Sequence, residues 1–239
     1  MLTEMVVRPA TQLLWPLFWA MATLVSYLLA KRLYQRSGKA WASPLISAPL
    51  ALLGLAFLLH ASYHDYLRGT HWLVAMLGPV TVAFAVPIHQ QRTLIARHWK
   101  VLGAGVLVGS GVAIASAWLM ATALHLSPEL RLSLAPRSVT TPFAMDVSGR
   151  IGGIPELTAV FVIITGICGA LCGQVLLKLL PIRSAMARGA LFGMGAHGMG
   201  VAKARELGES EGAIAGLVMV MAGVLNVAAA PLLVLLLQA

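Results

Sequence analysis

Long apolar stretches separated by short basic segments run through the whole chain. They cover approximately residues 10–30, 43–60, 71–88, 101–124, 154–180 and 211–237. A helix that crosses a bilayer requires about 20 mainly apolar residues, and several of these stretches reach that length. The last stretch contains Asn226 and Pro231, so it is either one kinked span or two short pieces. The pattern predicts an all-α, polytopic transmembrane protein.

Two further stretches fit neither a span nor a loop. Residues 138–153 are too polar and glycine-rich to span and too apolar for a solvated loop, and residues 190–208 carry too many glycines for a stable lipid-facing helix. Unpaired amides in lipid cost several kcal/mol each, so irregular backbone occurs in a membrane only where it is buried or lines a watery cavity. We predict broken or re-entrant helices at both stretches, and a binding site there.

A weak internal similarity accompanies these breaks. Residues 80–86 (VTVAFAV) align with residues 139–145 (VTTPFAM), and a long apolar run follows each. Inverted repeats in transporters place paired broken helices at the membrane midplane, but chance among apolar segments explains the similarity nearly as well. We expect one integral membrane domain over residues 1–239, with an N-terminal half of residues 1–124 and a C-terminal half of residues 132–239.

Composition and charge support a membrane protein. The chain is 59% hydrophobic and 10% charged, whereas a soluble domain is about a quarter charged. The net charge is +9, yet the basic residues sit in clusters between apolar runs, so nucleic acid is not an expected partner. Residues 31–39, 92–100 and 178–188 hold four, three and three of the seventeen lysines and arginines. These segments are predicted to face the cytoplasm, with the N-terminus outside.

Enzyme and metal chemistry find little support. The chain has no GxSxG, HExxH or GxxxxGK[ST] motif. Its two cysteines, Cys168 and Cys172, lie four residues apart in an apolar run, where packing among small residues is expected rather than a disulfide or a metal site. Gly166, Gly169 and Gly173 form a stripe suited to close helix approach. We predict no catalytic residue, cofactor or metal.

The candidate ligands lie in the two polar stretches. Ser138, Thr140 and Thr141 precede a short helical segment, where their hydroxyls and free N–H groups either hold an anion or simply cap the helix. His197 is the only histidine within a predicted intramembrane break, and it either binds substrate, moves a proton or satisfies backbone carbonyls. A charged cluster follows in the chain, and for most of its members a solvated, salt-bridged turn is the alternative to a role in binding or coupling. Its members are Lys203, Arg205, Glu206, Glu209 and Glu211.

Three motifs resemble those of the LrgB/CidB family of bacterial membrane proteins. The segments RSVTTP and IGGIP lie at residues 137–142 and 151–155. The family pattern SHxxGTAxxxExxxxEGA falls on Ala196, His197, Gly200, Val201, Ala202, Glu206, Glu211, Gly212 and Ala213. Ala196 stands where the family has serine and Val201 where it has threonine, so the second break lacks two hydroxyls.

The resemblance covers about residues 132–231 and is looser over residues 1–124. It implies either of two functions. The family was named for control of murein hydrolase activity and autolysis, by analogy with holins and antiholins. Members and plastid relatives are also linked to movement of pyruvate, glycolate or glycerate, usually alongside a smaller LrgA/CidA-type partner.

We expect a subunit of the bacterial inner membrane that moves a small carboxylate by alternating access, with an LrgA/CidA-type partner or as a homo-oligomer. The alternatives are a holin-like oligomeric regulator of autolysis and a scaffold for a partner membrane protein. A guanidinium pairs bidentately with a carboxylate, and hydroxyl or imidazole groups suit a 2-oxo or 2-hydroxy oxygen. The substrate-binding candidates are Arg137, Ser138, Thr140, Thr141, Arg150, His197 and Arg205. The candidates for a coupling proton or sodium ion are Asp146, Glu156, Glu206 and Glu211.

Overall fold

A computed structural model describes residues 2–38 and 42–237. Regular structure in these residues is helical throughout, without a strand. The helices are α1 (Leu2–Ser37), α2 (Pro44–Leu58), α3 (Tyr63–Ala75), α4 (Leu77–Ala83), α5 (Ala85–Gln90), α6 (Arg92–Ala123), α7 (Pro128–Leu134), α8 (Thr141–Ile151), α9 (Pro155–Leu179), α10 (Ala185–Leu207) and α11 (Glu209–Leu237). The prediction of an all-α architecture is confirmed.

Four segments of the described residues are long and apolar enough to cross a membrane. They are Leu14–Ser37 in α1, Arg92–Ala123, Pro155–Leu179 and Glu209–Leu236. Helix α11 is continuous through Asn226 and Pro231, so the last apolar stretch forms one span. The apolar stretch 71–88 instead forms three short helices, α3 to α5, with breaks at Met76 and Phe84. The chain is therefore a multi-pass membrane protein.

Backbone contacts group the chain into two compact units, Met1–Pro79 and Val80–Ala239. In the first unit, α1 packs against α2 and α3, and the buried Trp19 ring meets Tyr66 edge-on with ring centroids 5.6 Å apart. The second unit includes residues 125–131, which separate the two halves predicted from the sequence. The organisation of residues 1–239 as one domain stays a prediction.

Helix α11 lies at the centre of the second unit. Half of its most apolar window is buried, against 22% for α6 and 17% for α9. It contacts α6, α8 and α10. The main apolar cluster joins α6, α8, α9 and α11 through Leu102, Val106, Val139, Phe143, Ala144, Val162, Ile214, Leu217, Val218 and Ala222.

Helix α10 reverses direction at His197, whose backbone dihedrals (φ 45°, ψ −125°) are not helical. Phe192 and Ala204 belong to one buried cluster, although residues twelve apart in a straight helix are separated by about 18 Å. A Cβ atom built on Gly200 would lie 2.7 Å from the carbonyl carbon of Phe192. The arms before and after His197 therefore fold against each other. This tip, at His197, lies in the predicted broken stretch 190–208.

Helices α7 and α8 form a second hairpin, whose tip is residues 137–140. The backbone N–H of Ile154 donates to the hydroxyl oxygen of Ser133 at 2.8 Å. The Thr158 hydroxyl lies 2.7 Å from the Ser148 hydroxyl and 2.9 Å from the Ser133 carbonyl oxygen. These contacts tie the end of α7, the end of α8 and the start of α9 together, as expected for a re-entrant segment in residues 138–153.

The glycine stripe on α9 packs against α10, as predicted. A Cβ on Gly169 would lie 2.8 Å from the carbonyl carbon of Gly195, and one on Gly173 would lie 2.7 Å from the Phe192 ring. Cys168 and Cys172 are free and exposed, so the prediction that they pack among small residues is wrong. Each precedes a stripe glycine by one residue, which turns it about 100° away around the helix.

Candidate functional site

The two hairpin tips meet at Arg137 and His197. The imidazole of His197 lies against the backbone of Arg137 and within electrostatic range of its guanidinium. On the other side, a Cβ on Gly166 of α9 would lie 3.5 Å from His197 Nδ1. Two residues that are sixty positions apart in the sequence are thereby brought to one place inside the second unit.

His197 is buried and incompletely bonded. The residue is 3% exposed, and in the described part of the chain its Nε2 atom has no hydrogen-bond partner. Its backbone adopts dihedrals close to the second position of a type II′ turn, which glycine dominates, at a cost of about 1–3 kcal/mol. A strained, buried histidine with an unused ring nitrogen is typical of a functional site.

Arg137 is a half-buried cation without an acidic partner among the described residues. Its Nη1 atom lies 3.5 Å from the hydroxyl of Ser138. The ion pairs in the described residues join Asp146 to Arg150, Glu211 to Arg188 and Glu206 to Lys203. The guanidinium of Arg137 therefore keeps donors for an anionic ligand.

The N-terminus of α8 follows Arg137 by a few residues in the chain. Thr140 is the N-cap residue, but its side chain makes no capping hydrogen bond. Simple N-capping, which was one interpretation of these hydroxyls, is therefore not the role of Thr140 here. Thr140 and Thr141 are half-buried, and the first N–H groups of a helix attract negative charge. The site thus combines a guanidinium, a helix N-terminus, hydroxyls and an imidazole.

Other predicted ligands lie away from the hairpin tips. Asp146 and Arg150 form a pair at 2.9 Å on the exposed face of α8, with side chains 43% and 56% exposed. Glu156 is exposed in the first turn of α9. Arg205 lines a separate cavity of about 630 Å³ together with Gln91, Leu94, Glu209, Ser210, Ala213 and Ile214. Of the predicted residues, the structure brings Arg137 and His197 together, and Ser138, Thr140 and Thr141 follow Arg137 closely in the chain.

The remaining coupling candidates pair with neighbouring cations. Glu206 contacts Lys203 on the second arm of α10, where its own side chain is exposed. Glu211 lies 3.9 Å from Arg188, with its side chain 13% exposed. Both acids therefore have local partners.

Comparison with known proteins places these hairpins in a family. The model of the LrgB-like family matches residues 23–236. The chain belongs to the LrgB-like family. Both hairpin tips and all three motifs of the C-terminal half lie within the matched residues.

Relatives match this LrgB-like protein over most of their length. YwbG from Bacillus subtilis (strain 168) is 42% identical over 211 residues, which are 88% of this chain and 94% of the relative. The Holin-like protein CidB from Staphylococcus aureus is 30% identical over 220 residues, which are 92% of this chain and 96% of the relative. The comparison with solved structures gives no match.

Two buried polar groups of this LrgB-like protein were missed as candidates in the sequence. Asn226 Nδ2 donates to the Ser110 hydroxyl oxygen at 3.1 Å and to the Ala222 carbonyl oxygen at 2.8 Å, which links α11 to α6. The Ser133, Ser148 and Thr158 cluster closes the α7–α8 hairpin. A lone asparagine in an apolar run is a signal that sequence reasoning can use, whereas the hydroxyls of the cluster resemble many others in membrane helices.

Proposed function

We propose that this LrgB-like protein binds a small 2-oxo or 2-hydroxy carboxylate where its two hairpin tips meet, and moves it across the membrane by alternating access. The observation that carries the proposal is the contact between His197, with its unpartnered Nε2, and Arg137, which lacks an acidic partner in the described residues. Burying a charge is costly unless it is paired, and a carboxylate ligand supplies the missing partner.

The available donors suit such a ligand. The planar guanidinium of Arg137 binds both oxygens of a carboxylate. The free N–H groups at the start of α8 add donors and a favourable dipole. Hydroxyl groups of Thr140 and Thr141 provide bonds for a 2-oxo or 2-hydroxy oxygen, because a hydroxyl both donates and accepts.

The placement of the hairpins favours access from alternating sides. With basic segments in the cytoplasm, α9 ends there at Leu179, so both arms of α10 begin and end on the cytoplasmic side. Helix α6 ends on the opposite side at Ala123, from which the α7–α8 hairpin enters and to which it returns at Pro155. One hairpin then separates the site from each aqueous side, and movement of either one opens it. This orientation, with the N-terminus outside, is part of the proposal.

The second candidate is a holin-like regulator of autolysis that oligomerises and permeabilises or modulates the membrane without a substrate. The name of the Staphylococcus aureus relative, Holin-like protein CidB, favours this candidate over transport. The half-buried Arg137 beside the buried His197 supports the first candidate, because a pore without a substrate has no use for a cation and an imidazole placed together.

Uptake into proteoliposomes separates the candidates. Radiolabelled pyruvate and glycolate are offered to the wild type, with and without a co-reconstituted LrgA-type partner. We expect saturable uptake that falls at least tenfold in Arg137→Gln and is kept in Arg150→Gln, a matched arginine on the exposed face of α8. A non-saturable leak that is indifferent to Arg137→Gln would contradict transport and support the holin-like regulator.

A further inference from the structure

We propose that His197 carries the coupling proton, so that each carboxylate crosses the membrane together with one proton taken up by this imidazole. The proposal rests on the proposed function, and it replaces the acidic side chains that the sequence suggested for coupling. Its basis is the placement of His197 at the tip of one hairpin, beside Arg137 at the tip of the other, with Arg137 as its charged neighbour.

No carboxylate of the second unit is available at the site. That unit contains six acidic residues: Glu129, Asp146, Glu156, Glu206, Glu209 and Glu211. Five are exposed and Glu211 is half-buried beside Arg188. A coupling proton needs a titratable group that senses the substrate, and these acids lie at the outer ends and surfaces of their helices. His197 is the titratable group that remains at the tips.

The elements packed around His197 bring one charged group to it. The loop before α8 contributes Arg137, which is the electrostatic neighbour of the imidazole. Helix α9 contributes Gly166, and its charged residues Glu156 and Lys178 are about 15 and 18 Å away along the helix. Helix α11 bears its charges, Glu209 and Glu211, in its first turn.

Helix α6 adds no charge at the tip. It meets the first arm of α10 where Gly109 faces Met194, since a Cβ on Gly109 would lie 2.9 Å from Met194 Cγ. Its basic residues, of which Lys100 is the last, precede Gly109 by at least nine residues, or about 13 Å of helix. Arg137 is therefore the charge to which protonation of His197 must respond.

This arrangement couples protonation to anion binding. An imidazolium beside the Arg137 guanidinium places two like charges together, which is unfavourable at short range. A carboxylate between them attracts both cations, so anion binding favours protonation of His197 and protonation favours anion binding to the same degree. The unused Nε2 atom gives the imidazole a site to accept the proton.

The charge balance predicts how transport is driven. The empty site carries the guanidinium and a neutral imidazole, and the loaded site carries the guanidinium, an imidazolium and a carboxylate. Both states have a net charge of +1, so one anion and one proton move without net charge. On release, the carboxylate and the proton of His197 leave on the same side. Accumulation should therefore follow the pH gradient and be indifferent to the membrane potential.

The test separates exchange from driven accumulation in sodium-free proteoliposomes. Exchange of labelled for unlabelled pyruvate without a gradient tests the proposed function alone. A pH gradient of one unit, imposed with the membrane potential clamped to zero, tests coupling. At one proton per substrate the gradient supports up to about tenfold accumulation. We expect such gradient-driven accumulation in the wild type and in His125→Gln, whose exposed histidine serves as the matched control. In His197→Gln, the ratio of accumulation with the gradient to accumulation without it should fall to about 1.

If the His197→Gln variant cannot be reconstituted, a second measurement on the wild type still tests the proposal. Addition of pyruvate to weakly buffered proteoliposomes should raise the external pH. The amount of acid needed to restore the pH should equal one proton for each pyruvate molecule taken up. Wild-type exchange without that alkalinisation, a requirement for sodium, or a gradient response retained by His197→Gln would overturn the proton assignment while transport stands. Absence of exchange in the wild type, with sodium as well as without it, would overturn both the proposed function and this inference.

Discussion

Gly169 of α9 faces the backbone of Gly195 of α10 so closely that a Cβ at position 169 would lie 2.8 Å from the Gly195 carbonyl carbon. This contact holds the first arm of α10 against α9, two residues before the strained tip at His197. The position of the imidazole beside Arg137 therefore depends on the absence of a side chain at position 169.

Gly169→Ala should destabilise the protein by about 1–3 kcal/mol, the usual cost of overpacking a close contact. Gly195→Ala is the matched control, because a Cβ at position 195 has no heavy atom within 4 Å, and it should keep or raise stability through helix propensity. Thermal unfolding in detergent measures both. Equal melting temperatures for the two variants would contradict the close packing.

His197→Gly should be more stable than His197→Ala, by about 1–3 kcal/mol, because glycine adopts the positive φ of position 197 without strain. Both variants lose the imidazole, so both should lose proton-driven uptake. Melting temperatures in the same detergent compare them. A less stable glycine variant would show that the tip conformation is not strained.

Thr158→Val should destabilise the α7–α8 hairpin. The substitution preserves shape but removes the hydroxyl that lies within hydrogen-bond distance of the Ser148 hydroxyl and the Ser133 carbonyl, and a buried unpartnered group costs about 1–3 kcal/mol. Thr165→Val on the same helix is the control, since the described residues give its side chain no hydrogen bond. Hydrogen exchange of residues 128–151 should rise in Thr158→Val alone.

Asp146→Asn should change stability by less than about 1 kcal/mol, because its pair with Arg150 is exposed and screened by solvent. Proton-driven uptake should also persist, since Asp146 lies away from the hairpin tips. Melting temperature and the accumulation ratio under a pH gradient check the two expectations. Loss of the gradient response in this variant would return Asp146 to the role of coupling group.

Asp65 in the first turn of α3 should titrate below the usual range. The Ser62 hydroxyl donates to its carboxylate at 2.7 Å and the Ser62 N–H at 3.0 Å, and these bonds lower the pKa of Asp65. The carboxylate therefore stabilises the helix start above its unfolded pKa, and this contribution is lost as the pH falls through the lowered folded value.

Ser62→Ala removes the stronger of these two bonds, so the pKa of Asp65 should move back toward its ordinary value. Ser127→Ala, which removes the cap of α7 instead, is the control and should leave Asp65 unchanged. Carbon-detected NMR titration of the carboxyl group measures the shift. An unchanged Asp65 in Ser62→Ala would assign the effect to the backbone bond.

The sequence alone determined four long spans, the two broken stretches and the packing stripe, whereas it did not foresee that stretch 71–88 divides into short helices. Whether a segment can cross a bilayer depends on its own length and composition, so α1, α6, α9 and α11 were predictable. Irregular backbone in a membrane must be buried or line a cavity, so the polar stretches marked the region of the candidate site. The stripe of Gly166, Gly169 and Gly173 follows from helical spacing, which is also a local property.

Only the tertiary structure decided which charges meet. In the sequence, Arg137, Arg150 and Arg205 were equal candidates, because spacing along the chain carries no information on which side of a short helix faces a distant hairpin. The reversal at His197 brings the second break to the first, and Arg150 and Arg205 fall outside that contact. The pairing of Arg137 with His197 arises from packing of α8, α9 and α10 around glycines, and long-range packing of that kind cannot be deduced from local pattern.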